Sequence, residues 1–571
     1  MVNLNINGIA VSVPEGSTIL QAAKLANVRI PTLCYLKEIQ CIGSCRMCLV
    51  EVTGARGLVA ACVYPVAEGM EVRTNTPKVR KSRKTSLELI LSTHKKKCLS
   101  CVRSMNCELQ KLALEYNAEE DKFGTDHDIK PIDDLSPSVV RDNSKCIMCT
   151  RCVAACEKQT IGAIGPKNRG YAKTIGSPFD VSLAYTPCVN CGQCVVACPV
   201  GALYEKSSVA DVWGAIVDPT KKVVFFTAPS VRATLGEAFG LPVGTNVEGK
   251  MVTAIKQLGD VECFNMDTTA DLTIMEEANE LLARLKKGGK TPMFTSCCPG
   301  WIKFCEHYYP EYLPNLSTCK SPQEMFSAVL KTYYCKKHGV DPKDLYVVSV
   351  IPCTAKKFEV TREELGGYTD SAITTRELAK MIKEAGIDFA NLPDTPYDDP
   401  FGLASGAGAI FGATGGVMEA ALRTAAMALG EKDAPIEFTE VRGTQGLKEA
   451  EFALGGKTVK VAVASGLANA RKIIESVKSG EKEYTFVEIM ACPGGCINGG
   501  GQPYVHDEVR NNVDLKTLRA QALYDYDEES AVRCSHDNAT VTALYKEFFG
   551  EPNSHKAHEL LHTTYVARPK Y

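Results

Sequence analysis

Cysteines dominate the chemistry open to this chain. Of 571 residues, 26 are cysteine and only nine are histidine. Most cysteines stand in tight groups, two residues apart, where ligand geometry is satisfied locally. Thiolate-rich sets of this kind select iron–sulfur clusters or zinc. The run Cys146-x₂-Cys149-x₂-Cys152-x₃-Cys156 recurs as Cys188-x₂-Cys191-x₂-Cys194-x₃-Cys198-Pro199. This is the bacterial ferredoxin spacing, in which the fourth cysteine crosses to the other cluster. One 4Fe–4S cluster is therefore expected on Cys146, Cys149, Cys152 and Cys198. A second is expected on Cys188, Cys191, Cys194 and Cys156. The first copy departs from the pattern only in carrying Glu157 where the second has Pro199.

Two further sets precede the repeat. Cys34, Cys45, Cys48 and Cys62 differ from the plant-type spacing but share its close central pair and distant outer ligands, which fits a 2Fe–2S cluster. Cys41 falls outside that spacing. His94-x₃-Cys98-x₂-Cys101-x₅-Cys107 reads equally well as structural zinc. Its place between two iron–sulfur patterns favours a 4Fe–4S cluster with one imidazole ligand, whose lower negative charge would raise the potential.

The last group lies in the second half of the chain. Cys297 and Cys298 follow Pro292-Met293-Phe294, Cys353 ends Val347–Pro352, and Cys492 ends Phe486–Ala491 with Cys496 one turn later. Short β-branched runs read as buried parallel strands, and open α/β sheets build their sites at the strands' carboxyl ends. Four of these cysteines make a Cys₄ metal site. Cys297 is left over beside it, a thiol that a purely electron-carrying cluster would not use.

The elements that must position these groups divide the chain into five parts. Residues 1–78 open with alternating strands around Asn7-Gly8, a tight-hairpin signal, and read as a β-grasp 2Fe–2S domain. Residues 79–125 are helical in composition and carry the His/Cys₃ set. Residues 126–208 hold the repeat in an α+β ferredoxin-like domain. Residues 209–510 read as an α/β catalytic domain with parallel sheets. Its strands are expected at Val223–Thr227, at Val459–Val463 and before the site cysteines. Residues 511–571 read as a terminal appendage of short helices and loops. Apolar content of 45% and a net charge of −2 give no argument for nucleic acid or a membrane surface as partner. No stretch reaches the length of a membrane span, and the N-terminus does not read as a signal peptide. A cytoplasmic location is expected.

Thr295-Ser296-Cys297-Cys298-Pro299-Gly300-Trp301, Pro352-Cys353-Thr354-Ala355-Lys356-Lys357 and Ala491-Cys492-Pro493-Gly494-Gly495-Cys496 together resemble the three signature loops of iron-only (FeFe) hydrogenases. The resemblance runs over essentially the whole chain. The four accessory-cluster patterns stand in the order of the monomeric clostridial-type enzymes, and Leu560–Tyr565 is similar to the small-subunit segment fused there. What the resemblance implies is a ferredoxin-linked hydrogenase catalysing 2H⁺ + 2e⁻ ⇌ H₂. It also implies the H-cluster, a 4Fe–4S cubane joined through one cysteine to a two-iron centre with carbon monoxide, cyanide and a bridging dithiolate amine. By position in the loops, Cys298, Cys353, Cys492 and Cys496 hold the cubane, and Cys496 bridges to the two-iron part.

The same resemblance assigns roles around the site. Lys356 hydrogen-bonds a cyanide, as an ammonium with three donors suits an anionic ligand in a dry pocket. Ala228, Pro229, Ser230, Gln323 and Met490 line the pocket. Cys297 becomes the last proton carrier, fed by Arg284, Glu280, Ser317 and Glu277. Helical spacing puts Glu277, Glu280 and Arg284 on one face of a helix predicted over Asp271–Lys287, although alone such a trio reads as a solvated salt-bridged face. Ile351 stands where the second loop usually begins with methionine, and a shifted balance of cluster redox states is expected from it. Implied partners are a ferredoxin or flavodoxin and maturation proteins, with the chain a monomer. The rival classes are a non-catalytic iron–sulfur assembly or sensing relative, and a subunit of an electron-bifurcating complex.

Three other features compete for attention. His558-Glu559-Leu560-Leu561-His562 has the metalloprotease spacing, but little chain follows it to supply a cleft. Gly406–Gly412 imitates a dinucleotide loop without a preceding strand. The basic runs Val79–Lys84 and Lys95–Lys97 read as a solvated helix face, or as a dock for an acidic electron carrier. Cys41, Cys263, Cys305, Cys319, Cys335 and Cys534 have no motif and read as small buried hydrophobes.

Overall fold

The computed structural model describes residues 1–124, 130–431 and 435–570. Eight strands build the catalytic part: β1 (Lys222–Thr227), β2 (Val261–Asn265), β3 (Met293–Phe294), β4 (Leu345–Ile351), β5 (Ser371–Thr374), β6 (Leu447–Leu454), β7 (Lys457–Ser465) and β8 (Phe486–Met490). They form two four-stranded sheets. The first is all parallel in the order β2-β1-β4-β5; the second has the order β3-β8-β7-β6. Only β6 runs antiparallel, as a hairpin partner of β7 from Leu447↔Ala464 to Leu454↔Lys457. β1 and β4 are buried on both faces nearly throughout, which is why they read as unbroken apolar runs.

Six helices matter for the site: α1 (Asp267–Lys287), α2 (Pro299–Tyr308), α3 (Pro322–Val329), α4 (Gly416–Ala428), α5 (Leu515–Glu529) and α6 (His555–Leu561). α1 begins four residues before the predicted start and ends where Gly288, at φ 67°, takes the left-handed cap. Its length comes from packing against α3 and α4, and it is buried from Asp267 to Ala278 except at Met275. α4 and α5 are joined by a buried ionic network. Arg423 donates to Asp527 at 2.8 Å through each of two nitrogens and to Glu419 at 2.7 Å, with Arg442 and Arg533 adding to the same carboxylates.

The C-terminal region is not an appendage. Ala520 and Leu523 of α5 share a core with Ala233, Ala413 and Ile497, and Leu560 and Leu561 of α6 join the core of the first sheet. The reason is amphipathic burial across the chain: these residues are apolar at helical spacing and find their partners hundreds of residues away.

At the other end, Val2–Ile6 pairs antiparallel with Ile9–Val13 and parallel with Met70–Arg73 inside a five-stranded sheet. Asn7 and Gly8 turn the hairpin with φ of 54° and 90°, values that Asn-Gly supplies at little cost. The ferredoxin-like repeat puts helices Arg151–Lys158 and Gln193–Ala197 against a three-stranded sheet. The expected boundary between residues 125 and 126 lies outside the described residues. Gly406–Ala409 forms one buried helical turn after a coil segment, so the glycine pattern serves close packing and no strand leads into it. Two cations of the basic runs are paired: Lys84 with Glu88 and Glu119, and Lys96 with Glu120 and Asp121.

Candidate functional site

Cys298, Cys353 and Cys492 stand just past β3, β4 and β8, so the two sheets deliver their carboxyl ends to a common point. Two of these thiols sit where a helix begins. Cys298 caps α2, and its sulfur is approached by the amides of Gly300 and Trp301 and by Ala491 N–H at 3.4 Å. Cys353 precedes helix Ala355–Glu359 and receives the amides of Ala355 and Lys356. Orphan N–H groups and the helix dipole favour the thiolate that a metal requires. Each of the four sulfurs at Cys298, Cys353, Cys492 and Cys496 lies close enough to the others to interact electrostatically. None is in a disulfide. Burial pushes all four thiols up, Cys353 to about 12. Four converging thiols held in that unfavourable state fit a thiolate-ligated cluster, whose metal would remove the protons.

Near them stand polar groups with few protein partners. Ser230 Oγ is fully buried and has no hydrogen-bond partner among the described residues. It is presented by the one-turn helix Pro229–Arg232, which Ala228 caps after β1. Lys356 Nζ donates to Glu359 Oε2 at 2.7 Å, its single protein acceptor among the described residues. Burial opposes its charge, but Glu359, then Cys297 and Glu324, outweigh burial and hold the ammonium above its usual pKa. The Ser230 hydroxyl and the Lys356 N–H groups not spent on Glu359 are donors that anionic ligands on a metal would take up.

Glu359 Oε2 also accepts from Ser321 Oγ at 2.9 Å and Gln323 Nε2 at 3.0 Å. Gln323 Oε1 in turn accepts from Ser349 Oγ at 2.8 Å. Gln323 is thus fixed by a buried network and is not a free pocket group. Glu359 was legible from its i,i+3 spacing to Lys356; Ser349 and Glu324 carry no sequence signal. Ile351 packs in the core of the first sheet, and Met490 packs in a separate core against which Cys297 lies.

A line of titratable groups runs from Cys297 towards the surface. The Glu277 carboxyl is buried and pushed up to about 8, by burial first and the Glu280 charge second, with Ser317 and the Ser296 amide acting the other way. Ser317 lies between the two carboxylates and donates to Glu280 Oε2 at 3.0 Å. Arg284 closes the outer end, donating to Glu280 Oε1 at 3.0 and 2.5 Å and to Leu316 O at 2.6 Å. Burial, and next the Glu277 carboxylate, drive the Cys297 thiol far up. Helix α1 supplies the two glutamates and the arginine from one face, turned inward and not to solvent.

The other ligand sets are brought together as well. Cys146, Cys149, Cys152 and Cys198 line one cavity. Cys156, Cys188, Cys191 and Cys194 interact electrostatically as a group. Cys34 and Cys45 exchange N–H···S contacts at 3.4 and 3.5 Å, and the Cys48 and Cys62 sulfurs are 3.3 Å apart. Cys98, Cys101 and Cys107 act on one another, and His94 is buried two residues past helix Pro77–Ser92.

The inner ferredoxin-like set meets the Cys₄ site directly. Cys492 Sγ lies 3.9 Å from Cys191 O, and Thr354 Oγ1 donates to Asn190 O at 2.6 Å. Gly192 and Gly500 pack backbone to backbone: a methyl on Gly500 would fall 2.6 Å from Gly192 Cα and 2.9 Å from Thr354 Oγ1.

Family profiles match the C-terminal domain of the iron-only hydrogenase large subunit over residues 221–500, and the iron hydrogenase small subunit over 513–568. Others match a 2Fe-2S iron-sulfur cluster binding domain at 1–77, an NADH-ubiquinone oxidoreductase-G iron-sulfur binding region at 83–122 and a 4Fe-4S dicluster domain at 145–202. The NADP-reducing hydrogenase subunit HndD of Solidesulfovibrio fructosivorans is 47% identical, with 100% of each chain covered. Iron hydrogenase 1 of Clostridium pasteurianum is 45% identical, over 99% of this chain and 100% of the relative. An apo [FeFe]-hydrogenase HydA1 variant from Chlamydomonas reinhardtii superposes with a TM-score of 0.56 at 42% identity, covering 63% of this chain and 99% of that one. Among the described residues no helix is long and apolar enough to cross a membrane. The chain belongs to the iron-only (FeFe) hydrogenase family, oxidoreductases that carry iron–sulfur clusters and the H-cluster.

Proposed function

We propose that this hydrogenase interconverts protons and hydrogen at a two-iron centre joined to a cubane that Cys298, Cys353, Cys492 and Cys496 would hold, with Cys297 as the last proton carrier. The observation that carries the reading is the inward-facing line Arg284–Glu280–Ser317–Glu277–Cys297. When bound, the H-cluster supplies the place where protons and electrons combine. The protein's own groups do the rest. Glu280 takes a proton at the Arg284 end, and Ser317 Oγ, hydrogen-bonded to Glu280, passes one across to Glu277. Glu277, with its pKa near neutrality, both holds and releases a proton at working pH. Cys297 Sγ is kept as the protonated thiol by its surroundings and is reprotonated from Glu277 after giving its proton up. Lys356 and Ser230 offer donors to anionic ligands, and Ala228, Pro229, Gln323, Ile351 and Met490 shape a dry pocket.

Electrons reach the site by a separate route. Four accessory clusters are proposed: a 2Fe–2S cluster on the Cys34 set, a 4Fe–4S cluster on His94, Cys98, Cys101 and Cys107, and two on the crossed repeat. The Cys191 set, against Cys492, delivers to the cubane. The five parts 1–78, 79–125, 126–208, 209–510 and 511–571 follow this division of labour. A ferredoxin or flavodoxin is the proposed carrier, maturation proteins insert the two-iron centre, and the setting is the cytoplasm. A second reading, a hydrogen-active subunit of a larger complex, is favoured over a lone monomer by the full-length likeness to HndD. Infrared spectra of the matured enzyme should show metal-bound carbonyl and cyanide stretches. Active enzyme without them overturns the site reading, and co-purification of nicotinamide-linked subunits at fixed stoichiometry would decide for the complex.

A further inference from the structure

The H-E-x-x-H motif ends beside the relay. α6 stops at Leu561, and the chain then runs extended along the segment that follows Ser317. Lys320 N–H donates to Leu561 O at 2.8 Å, Thr563 N–H to Thr318 O at 2.8 Å, and Tyr565 Oη to Cys319 O at 3.4 Å. Cys319 and His562 form an antiparallel bridge. His562 is therefore buried, and both ring nitrogens are engaged: Nδ1 with Thr318 Oγ1 at 2.7 Å and Nε2 with Glu276 Oε2 at 3.0 Å.

Thr318 is the connection to the relay. Its amide donates to both oxygens of Glu280, at 3.0 and 3.3 Å. The next amide, Cys319 N–H, donates to Ser317 Oγ at 3.2 Å. With that lone pair occupied, the Ser317 hydroxyl proton is directed at Glu280 Oε2. The extended 317–319 segment thus sets the geometry of the central relay step. Its backbone is held by Ser317 N–H to Phe294 O at 2.8 Å and Ser296 Oγ to Cys319 O at 2.7 Å, and the side chain of Thr318 is held by His562. Glu276 is anchored independently, accepting from Tyr545 Oη at 2.5 Å and Asn553 N–H at 2.8 Å. His562 spans from this anchor on α1 to Thr318.

We propose that His562 is a positioning residue of the proton relay, holding Thr318 so that the 317–319 segment presents Ser317 and the Thr318 amide to Glu280. The proposal rests on the reading of Glu280 and Ser317 as relay groups. A buried histidine that only fills space would be served equally by either ring contact; this one acts through Nδ1.

The test uses matured holoenzyme carrying Thr318→Val, His562→Ala, His562→Asn, His562→Gln or Glu280→Gln. Loss of one positioning hydrogen bond should lower hydrogen-evolution turnover roughly three- to tenfold in Thr318→Val and His562→Ala. The solvent isotope effect should rise, the KM for the electron carrier and the cluster's infrared bands should hold, and amide exchange at Thr318 should speed up. Asparagine places a polar atom near Nδ1 and should restore turnover; glutamine places one near Nε2 and should not. Wild-type turnover and isotope effect in Thr318→Val overturn the proposal, as does rescue by glutamine but not asparagine. If His562→Ala does not fold, Thr318→Val decides. Wild-type turnover in Glu280→Gln rejects the relay itself, whereas its collapse alongside an unaffected Thr318→Val rejects only the positioning.

Discussion

Replacing Glu277 with glutamine should damage activity and improve stability at once, with a distinctive dependence on pH. The carboxyl titrates near 8 in the folded protein against an ordinary 4.5. Its causes are burial, Glu280 and Glu488, none of them a metal ligand. Between those two values the folded chain holds one proton more than the unfolded chain. Stability of the parent therefore falls as pH rises from 5 to 8, by up to about 1.4 kcal/mol per unit, and levels off above 8. Over the whole interval the loss is on the order of 4 kcal/mol, the cost of burying a charge that cannot be shed. Glutamine has the same shape and no titration, so its stability advantage should open over that window and be absent below pH 4.5. It also cannot pass a proton on, and loss of a positioned acid–base group costs turnover about 10² to 10⁴-fold. Thermal-inactivation midpoints of parent and variant across pH 5–9, with infrared detection of a protonated carboxyl stretch that fades through pH 8 in the parent, supply the check. A midpoint difference that does not change between pH 5 and 8 would refute the assignment of the raised pKa. Wild-type turnover in the variant would refute the relay.

Four other outcomes are expected. Cys297→Ala should keep the cluster's infrared bands and lose at least about 10²-fold in turnover; retained turnover at the parent rate sinks the thiol's role. Gly500→Ala must push against the Cys191 carbonyl, Gly192 and Thr354, and overpacking of this kind costs about 1–3 kcal/mol. Its melting midpoint should drop by about one to three degrees, and an unchanged midpoint means the contact has slack. Arg423→Met leaves Glu419 and Asp527 buried with only Arg442 and Arg533 for compensation, so a loss of about 3 kcal/mol is expected; a denaturation midpoint equal to the parent's shows the network to be dispensable. Ile351→Met places a polarizable thioether at the end of β4, and infrared redox titration should show displaced midpoints with activity retained; identical midpoints dismiss the residue as a tuner.

The parts legible in the sequence were those whose signal is local. Cluster cysteines announce themselves because their ligand geometry closes within a few residues. The strands carrying Cys353 and Cys492 were visible because double-sided burial leaves a β-branched run. β2, β5 and β6 were missed for the opposite reason. β2 contains Glu262 and Asn265, β5 is Ser371-Ala372-Ile373-Thr374, and β6 alternates charge with apolar residues, as edge strands do. Which strand joins which sheet was not legible, since the pairing of Phe294 with Val487 spans most of the domain and leaves no local trace. The same distance hid His562. Its motif suggested a metal, and only the fold shows its nitrogens spent on Thr318 and Glu276.

The glycine-to-glycine contact between residues 192 and 500 has a consequence for how such enzymes are assembled from modules. On the proposed route from the Cys191 set to the Cys492 set, tunnelling falls off steeply with separation, and the backbone contact at Gly192 and Gly500 leaves no room for a side chain at either position. With the Thr354–Asn190 hydrogen bond beside it, it makes the two surfaces a matched pair. An accessory module with any larger residue at either position is expected to sit further out, though every cluster ligand were intact. Two residues outside the ligand sets thus help set which modules can be exchanged.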